Sequence, residues 1–358
     1  MKVIINSPSL NPDENISGIS STVQFIILNN KKRDYIHFEV GRRDAESSQI
    51  YPRIKRILRN KKDYKKLILS NKRATIHYNI PLMTGAILRD YLLIREAHKA
   101  GNPIIIHIHG GKYLKERNRP FYVKWLLKKI FSWAQSIITL SEEESKILST
   151  DFYLKNIHSL PNCIDTKEAQ KHNSNNFDKK CLNILYIGRI EVNKGIEYIY
   201  ESLKTVKEKG FDFVLHFAGK EETKGEYIPR FTETFKEQFI YHGLVSGKKK
   251  CDLLKESDIF LLPSFFEGLP ISLLETMSYG CVPVTTPVGS IPTIVKDREN
   301  GLFINIKDAE DTAAKLEELL SNKALLNKLS SLAKETIIEH FNEKTYIDRL
   351  NNIYKQNI

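Results

Sequence analysis

The sequence predicts an α/β protein built from two doubly wound domains, and three observations carry that reading. Short apolar runs recur along the chain, amphipathic segments of helical period separate them, and 358 residues suffice for two domains. The first series of expected strands covers residues 3–6, 36–40, 75–79, 104–109, 136–140 and 156–160. The second covers 183–188, 213–218, 239–242, 259–262, 283–286 and 301–304. Helical patterns such as 195–208 and 270–279 lie between them, which implies βαβ units and parallel sheets. Twelve strands are too many for one twisted open sheet, so the chain divides.

The polar stretch Lys171-His172-Asn173-Ser174-Asn175-Asn176 marks the seam. Residues 1–162 form the first domain, 163–180 the linker and 181–340 the second domain. Residues 308–358 read as three helices without strands, and the last of them, 341–358, crosses back to pack on the first domain. Both domains are expected to be Rossmann-like and to face each other across a cleft. Parallel α/β sheets take their ligands outside the carboxyl ends of the strands, so motifs at strand ends should line that cleft.

Composition removes several classes. Hydrophobic residues make up 41% and charged residues 27%, which is ordinary for a globular chain and argues against disorder. The longest uncharged stretch, residues 276–295, contains Pro283, Pro287 and Pro292 and makes a poor membrane helix. The first residues show no apolar core of a signal peptide. Cys163, Cys181, Cys251 and Cys281 lie far apart, without zinc-ligand spacing, and fit a reducing cytoplasm.

Charge is unevenly spread. Residues 1–160 hold 28 basic and 14 acidic side chains, a net +14, whereas the whole chain carries +12. Ten basic residues lie between Arg53 and Arg73, against Asp63 alone. This asymmetry suggests an anionic partner, although a solvated helix face accounts for it equally simply.

The densest motif runs Ser264-Phe265-Phe266-Glu267-Gly268-Leu269-Pro270-Ile271-Ser272-Leu273-Leu274-Glu275. A buried strand ends here, Gly268 permits close backbone approach, and Pro270 suits the first position of a helix whose free amides can hold phosphate. Glu267 and Glu275 suit sugar hydroxyls; a helix cap and a solvated helix residue are the plainer alternatives. Gly188-Arg189, with Lys194-Gly195 entering a helix, places two cations at another strand end, where a diphosphate could bind or a surface turn could simply lie. His107 and His109 close a third strand on one face by its period of two. His109 lies nearer the cleft, and His107 reads as a satisfied core histidine. Ser17-Gly18 follows the first strand, a weak phosphate-loop signal.

Together these features resemble glycosyltransferase family 4, the retaining nucleotide-sugar transferases of GT-B fold. The match rests on Glu267 and Glu275 with seven residues between them, on Gly188-Arg189 with Lys194-Gly195, and on His109-Gly110. Pro161-Asn162-x-Ile164-Asp165 and Pro287-x-Gly289-x-Ile291-Pro292-x-Ile294-Val295 follow in the family's order. The resemblance implies that Arg189 and Lys194 hold the donor diphosphate, Glu267 the donor-sugar hydroxyls and Glu275 the ribose. It implies that amides from Gly268, Leu269, Ile271 and Ser272 reach donor oxygens. His109 would sit near the anomeric carbon, and Gly18 would let its loop approach the donor. Departures are Ser17-Gly18 in place of two glycines, Cys163 after Pro-Asn, and Ser290-Ile291-Pro292-Thr293 after Gly289.

The expected enzyme is a hexosyltransferase-type retaining glycosyltransferase acting in cell-surface polysaccharide or lipid-linked glycan synthesis. No Asp-x-Asp occurs, so no metal or other cofactor is implied. Its partners would be a nucleotide-sugar donor, a glycan or lipid-linked acceptor and an anionic membrane surface, met through the basic run from Arg53 to Lys66. That run's apolar residues Ile54, Ile57 and Leu58 are expected to pack on the first domain's sheet, at the cytoplasmic face of the membrane. A GT-B epimerase or phosphorylase is the alternative; a nucleic-acid binder is disfavoured because Tyr64 is the only aromatic inside the basic cluster and no RNA-binding module signature appears.

Overall fold

The structure is a computed structural model. It describes all residues except 12, 13, 16, 42–49, 84, 111, 112, 114, 115, 117, 173–180, 224, 357 and 358, and the side chains of 50–53. Arg53, Gly111 and the end of the polar seam therefore lie wholly or partly outside the described residues. Two compact units emerge: Met1–Cys163 with Glu343–Ile358, and Ile164–Asn342.

In the first unit, β1 (Lys2–Ser7), β2 (Asp34–Glu39), β3 (Thr75–Ile80), β4 (Ile104–Ile108), β5 (Ser136–Thr139) and β6 (Ile157–Ser159) form a parallel sheet of order β2-β1-β3-β4-β5-β6. The run Ile104-Ile105-Ile106-His107-Ile108 is fully buried, as a strand covered on both faces must be. Ile4, Ile76, Tyr78, Ile104 and Ile106 face one layer of helices. These are α1's neighbours in sequence rather than α1 (Gly18–Asn29) itself: α2 (Ile50–Leu69), α3 (Ile87–Lys99), α4 (Phe121–Ser132) and α5 (Glu142–Phe152). Val3, Ile5, Ile105 and Ile138 face the other way, onto Val23 and Ile26 of α1 and onto the C-terminal helix Glu343–Lys355. That helix contributes Tyr346, Leu350 and Tyr354 at four-residue spacing, so one stripe of it is buried. Each fully buried large apolar side chain stabilises by about 1.5–3 kcal/mol.

Capping follows local chemistry. Ser17 Oγ accepts from Ser20 N–H at 3.1 Å to start α1. At α5, Ser141 Oγ accepts from Glu144 N–H at 3.2 Å, and Glu144 Oε2 accepts from Leu140 N–H at 2.9 Å.

The second unit contains α6 (Lys167–Lys171), β7 (Leu182–Ile187), α7 (Ile196–Glu208), β8 (Phe213–Ala218), α8 (Tyr227–Phe235), β9 (Phe239–Tyr241), α9 (Gly247–Glu256), β10 (Ile259–Leu262), α10 (Ile271–Ser278), β11 (Val282–Thr285), β12 (Leu302–Phe303), α11 (Ala309–Ser321) and α12 (Lys323–His340). Its parallel sheet runs β12-β11-β10-β7-β8-β9. Phe231 and Phe235 of α8 meet Phe217 of β8, Phe239 of β9 and Phe213 in a ring cluster that closes this edge. Residues 164–172, read from the sequence as linker, group with this unit, because Ile164 bridges to Asn342 beside α6.

Candidate active site

The second sheet reverses direction between β7 and β10: β8 lies on one side of the pair and β11 on the other. Such a switch point leaves room at the carboxyl ends of the two central strands. The loop after β7 carries Gly188 and Arg189 and leads into the 3-10 turn Val192–Lys194. The loop after β10 carries Ser264 to Pro270. Phe265 N–H donates to the Asn193 carbonyl at 2.9 Å and ties the two loops together.

Two glycines permit this closeness. Gly195 has φ +73°, and a Cβ there would lie 2.1 Å from the Pro263 carbonyl oxygen. Gly289 has φ +63°, and its Cβ would lie 2.2 Å from the Glu267 carbonyl oxygen. Any side chain at either position would force the loops apart.

Within the enclosure Lys194 Nζ donates to Glu267 Oε1 at 2.6 Å, and Ser264 Oγ donates to the same oxygen at 2.7 Å. Lys194 and Glu267 side chains are only 17% and 9% exposed. The nearby Tyr186 phenol is pushed well up by burial, and the Glu267 charge adds to the effect. Arg189 differs: its side chain is 57% exposed and lies 3.6 Å from Glu191.

Gly268 and Leu269 lead to Pro270, which occupies the N-cap of α10 rather than its first helical position and offers no side-chain cap. The first-turn amides, from Ile271 and Ser272 onward, therefore begin the helix without a side-chain acceptor. Glu275, just over one turn into α10, is held by a neighbour rather than free in solvent. Both its oxygens accept from Lys250 Nζ of α9, at 2.7 and 2.6 Å. Sequence reading missed Lys250 and gave Ser264, at the head of the motif, no role, since neither the lysine run at 248–250 nor a serine hydroxyl points by itself to a carboxylate.

Arg189, Lys194, Glu267, Gly268, Leu269, Ile271, Ser272 and Glu275 thus share the carboxyl end of the second sheet. His109 and Gly18 belong to the first unit. Gly18 is the exposed first residue of α1, and a Cβ there would meet no heavy atom within 4 Å. His109 lies one residue past β4, with Nε2 donating to Asn79 Oδ1 at 2.7 Å. Burial pushes its pKa down to about 3, so the ring is neutral at physiological pH. His107 is fully buried but only half satisfied. Nδ1 meets His77 Nε2 at 3.1 Å, while Nε2 has no hydrogen-bond partner among the described residues.

The basic helix α2 also departs from expectation. Tyr64 and Ile68 bury its inner face, but Ile54 is 51% exposed and Leu58 60%. These two apolar residues do not pack on the sheet. Helices α3 and α4 expose Leu88, Phe121, Tyr122 and Trp125, large apolar side chains that no sequence motif announced.

Two family models match in succession: Glycosyltransferase Family 4 over residues 22–168 and Glycosyl transferases group 1 over residues 167–336. The chain is a GT-B glycosyltransferase of group 1. It is 25% identical over 275 residues to the UDP-Gal:alpha-D-GlcNAc-diphosphoundecaprenol alpha-1,3-galactosyltransferase of Escherichia coli, covering 72% of this chain and 70% of that one. It is 27% identical over 235 residues to the N,N'-diacetylbacillosaminyl-diphospho-undecaprenol alpha-1,3-N-acetylgalactosaminyltransferase of Campylobacter jejuni, covering 62% and 60%. Anabaena HepE, solved with UDP and glucose, shares the fold at TM-score 0.76 and 12% identity over 99% of both chains. Among the described residues of this glycosyltransferase, no helix is long and apolar enough to cross a membrane.

Proposed function

We propose that this glycosyltransferase moves a sugar, with retention of anomeric configuration, from a nucleotide-sugar donor to a hydroxyl of a lipid-linked or polysaccharide acceptor. The observation that carries the reading is the switch-point constellation: Arg189, the Lys194–Glu267–Ser264 cluster and the uncapped start of α10, gathered around one strand end. Arg189 and Lys194 bind the diphosphate and stabilise the charge that grows as it leaves. Amides from Gly268 to Ser272 reach donor oxygens, Glu267 holds sugar hydroxyls, and Glu275 holds the ribose. His109 stands near the anomeric carbon, and Gly18 leaves its loop open to the donor.

Glu267 is committed to Lys194 and Ser264, which supports a front-face attack over a carboxylate nucleophile. The acceptor hydroxyl then passes its proton to the departing phosphate oxygen as the new glycosidic bond forms. Two relatives act on diphospho-undecaprenol-linked acceptors by name, which supports a lipid-linked acceptor here. The cations of α2 and the exposed Ile54, Leu58, Phe121, Tyr122 and Trp125 support docking on an anionic membrane from the cytoplasm.

A panel of nucleotide sugars tests the donor assignment by thermal shift and by nucleotide release with an undecaprenyl-diphosphate glycan. A donor at 100 times its Kd stabilises by about 2.7 kcal/mol. Phosphate-dependent or acceptor-independent turnover would replace transfer by phosphorolysis or epimerisation.

A further inference from the structure

A chain of side-chain hydrogen bonds runs through the first unit from the C-terminal helix to the end of β4, and its polarity can be worked out. Arg33 Nε donates to Asn351 Oδ1 at 3.0 Å, and arginine can only donate. Asn351 Oδ1 therefore also accepts from Asn30 Nδ2 at 3.2 Å, and the same amide donates to Tyr35 OH at 2.9 Å. With its oxygen receiving, Tyr35 donates to Tyr354 OH at 3.3 Å. Tyr354 in turn has one proton to give, and His77 Nδ1 lies 2.6 Å away. With Tyr354 giving that proton across the short contact, Nδ1 of His77 is bare and Nε2 carries the hydrogen, which it gives to His107 Nδ1 at 3.1 Å. His107 is left protonated on Nε2, the buried nitrogen that has no partner among the described residues.

A second, independent line fixes His109. Asn79 N–H donates to Asn6 Oδ1 at 2.8 Å, and Asn79 Nδ2 donates to the Asn6 carbonyl at 2.8 Å. Asn79 Oδ1 must therefore face His109, so His109 donates through Nε2. Its Nδ1 is left as a bare acceptor. The His107 and His109 rings lie 4.1 Å apart between centroids, so the orientation of one ring bounds the other.

We infer that Tyr354 and His77 are positioning residues: they lock His107 with its hydrogen on Nε2, and the His107 ring, packed against His109, helps hold His109 with a bare Nδ1 that can accept from a hydroxyl. The C-terminal helix thereby sets the state of a histidine it does not touch. The link to catalysis rests on the proposed role of His109; the tautomers do not.

The locked state is also under tension. An unpartnered buried N–H is costly, and the opposite tautomer pair would only move it: His107 Nδ1 would give to His77 Nε2, His77 Nδ1 to the Tyr354 oxygen, and the buried Tyr354 O–H would lose its acceptor. The polarity imposed by Tyr354 prevents that switch. Tyr354→Phe deletes one oxygen and keeps the ring in its packing. Nitrogen-15 NMR of histidine-labelled full-length protein, without ligand, reads the outcome. In the parent all three rings should show hydrogen on Nε2. In Tyr354→Phe nothing donates to His77 Nδ1, either tautomer pair leaves one buried N–H unpartnered, and His77 and His107 should populate both, while His109, tied to Asn79, keeps its own. Unchanged tautomers at His77 and His107 would overturn the inference. Should Tyr354→Phe melt below working temperature, His77→Gln serves, with His107 read in the same way.

Turnover of UDP-glucose, or of whichever UDP-sugar the panel selects, separates the two readings. Loss of one positioned hydrogen bond lowers kcat about fivefold with KM little changed. A tautomer exchange with unaltered kcat would overturn positioning of His109, and a His109→Ala enzyme with full activity would overturn its role in the proposed function.

Discussion

Replacing Glu267 with glutamine keeps the side chain's shape and removes its charge, which tests the centre of the proposed site. Two hydrogen bonds converge on Oε1, from Lys194 Nζ at 2.6 Å and from Ser264 Oγ at 2.7 Å. Glutamine can still accept from both, so the change isolates charge from geometry. Hydrogen bonds to charged groups contribute about 1.5–3 kcal/mol. Loss of one such contribution in the transition state lowers kcat/KM about ten- to hundredfold. The same change leaves the Lys194 ammonium, only 17% exposed, without this counter-charge. The second unit should then melt several degrees lower, at about 2–4 °C per kcal/mol for a unit of its size.

A double-mutant cycle with Lys194→Ala sharpens the test. If the pair acts as a unit, Glu267→Gln in the Lys194→Ala background costs little further stability. The coupling should then be about 0.5–3 kcal/mol. Nucleotide-release kinetics and thermal melts supply both readouts. Glu267→Gln with parental kcat/KM, together with strictly additive melts, would refute the placement of this carboxylate in the site.

Lys250→Ala should weaken nucleotide binding more than it slows the chemical step, because Glu275 loses the cation that fixes both its oxygens; titration with the nucleotide of the donor selected by the panel measures it. His77 supplies a pH test of the first unit's stability. Burial holds its pKa at about 3, below the unfolded value near 6.5, so the unfolded chain takes up the proton first. Its contribution is complete above about pH 6.5 and is lost as the pH falls toward 3, about 2 kcal/mol between pH 7 and 5. Melting should therefore drop at pH 5, and less so in His77→Gln; identical slopes would exclude a buried neutral His77. Liposomes with anionic lipid should retain the protein at low salt, at about 1 kcal/mol per cation near the surface. Replacing Lys55, Arg59, Lys62 and Lys65 with glutamine should abolish that retention, and a Phe121→Ser, Trp125→Ser variant should weaken it at every salt concentration.

The twelve strands were legible because a strand buried on both faces leaves an unbroken apolar run, as residues 104–108 show. Strand ends shifted by a residue or two, since the last ladder bond depends on the neighbouring strand. His109 fell just outside β4 for that reason: its N–H reaches the Ile80 carbonyl after the ladder has stopped. The misplacement of Ile54 and Leu58 has a different cause. At 3.6 residues per turn, Leu58 lies about 120° around α2 from Tyr64, and Ile54 about 80°. Tyr64, Leu67 and Ile68 already cover the sheet. Counting apolar residues among lysines, without choosing the helix face, led to the wrong side. Lys250–Glu275 and Tyr354–His77 were beyond sequence reading altogether, because each pairs residues that only the completed fold brings together.

Arg189 and Lys194 read from the sequence as an equivalent pair of cations, and the structure separates them. Arg189 is largely exposed, and its 3.6 Å approach to Glu191 is a surface ion pair worth about 0–1 kcal/mol. A guanidinium held so weakly can turn to an incoming diphosphate at almost no cost, and its planar fork suits two oxygens at once. Lys194 cannot turn, because Glu267 holds it at 2.6 Å. An ammonium has three donors, however, so Glu267 engages one and leaves two for other oxygens. On this reasoning Glu267 fixes a cation in place rather than cancelling it, and Lys194 is preorganised where Arg189 is recruited. Preorganised charge acts chiefly on the developing transition state, whereas a recruited charge adds binding that ground state and transition state share. Lys194→Ala should therefore fall mainly on kcat and Arg189→Ala mainly on KM, as steady-state kinetics with the selected donor will show. The opposite split would mean that the two cations have exchanged roles and that Glu267 quenches Lys194 instead of holding it.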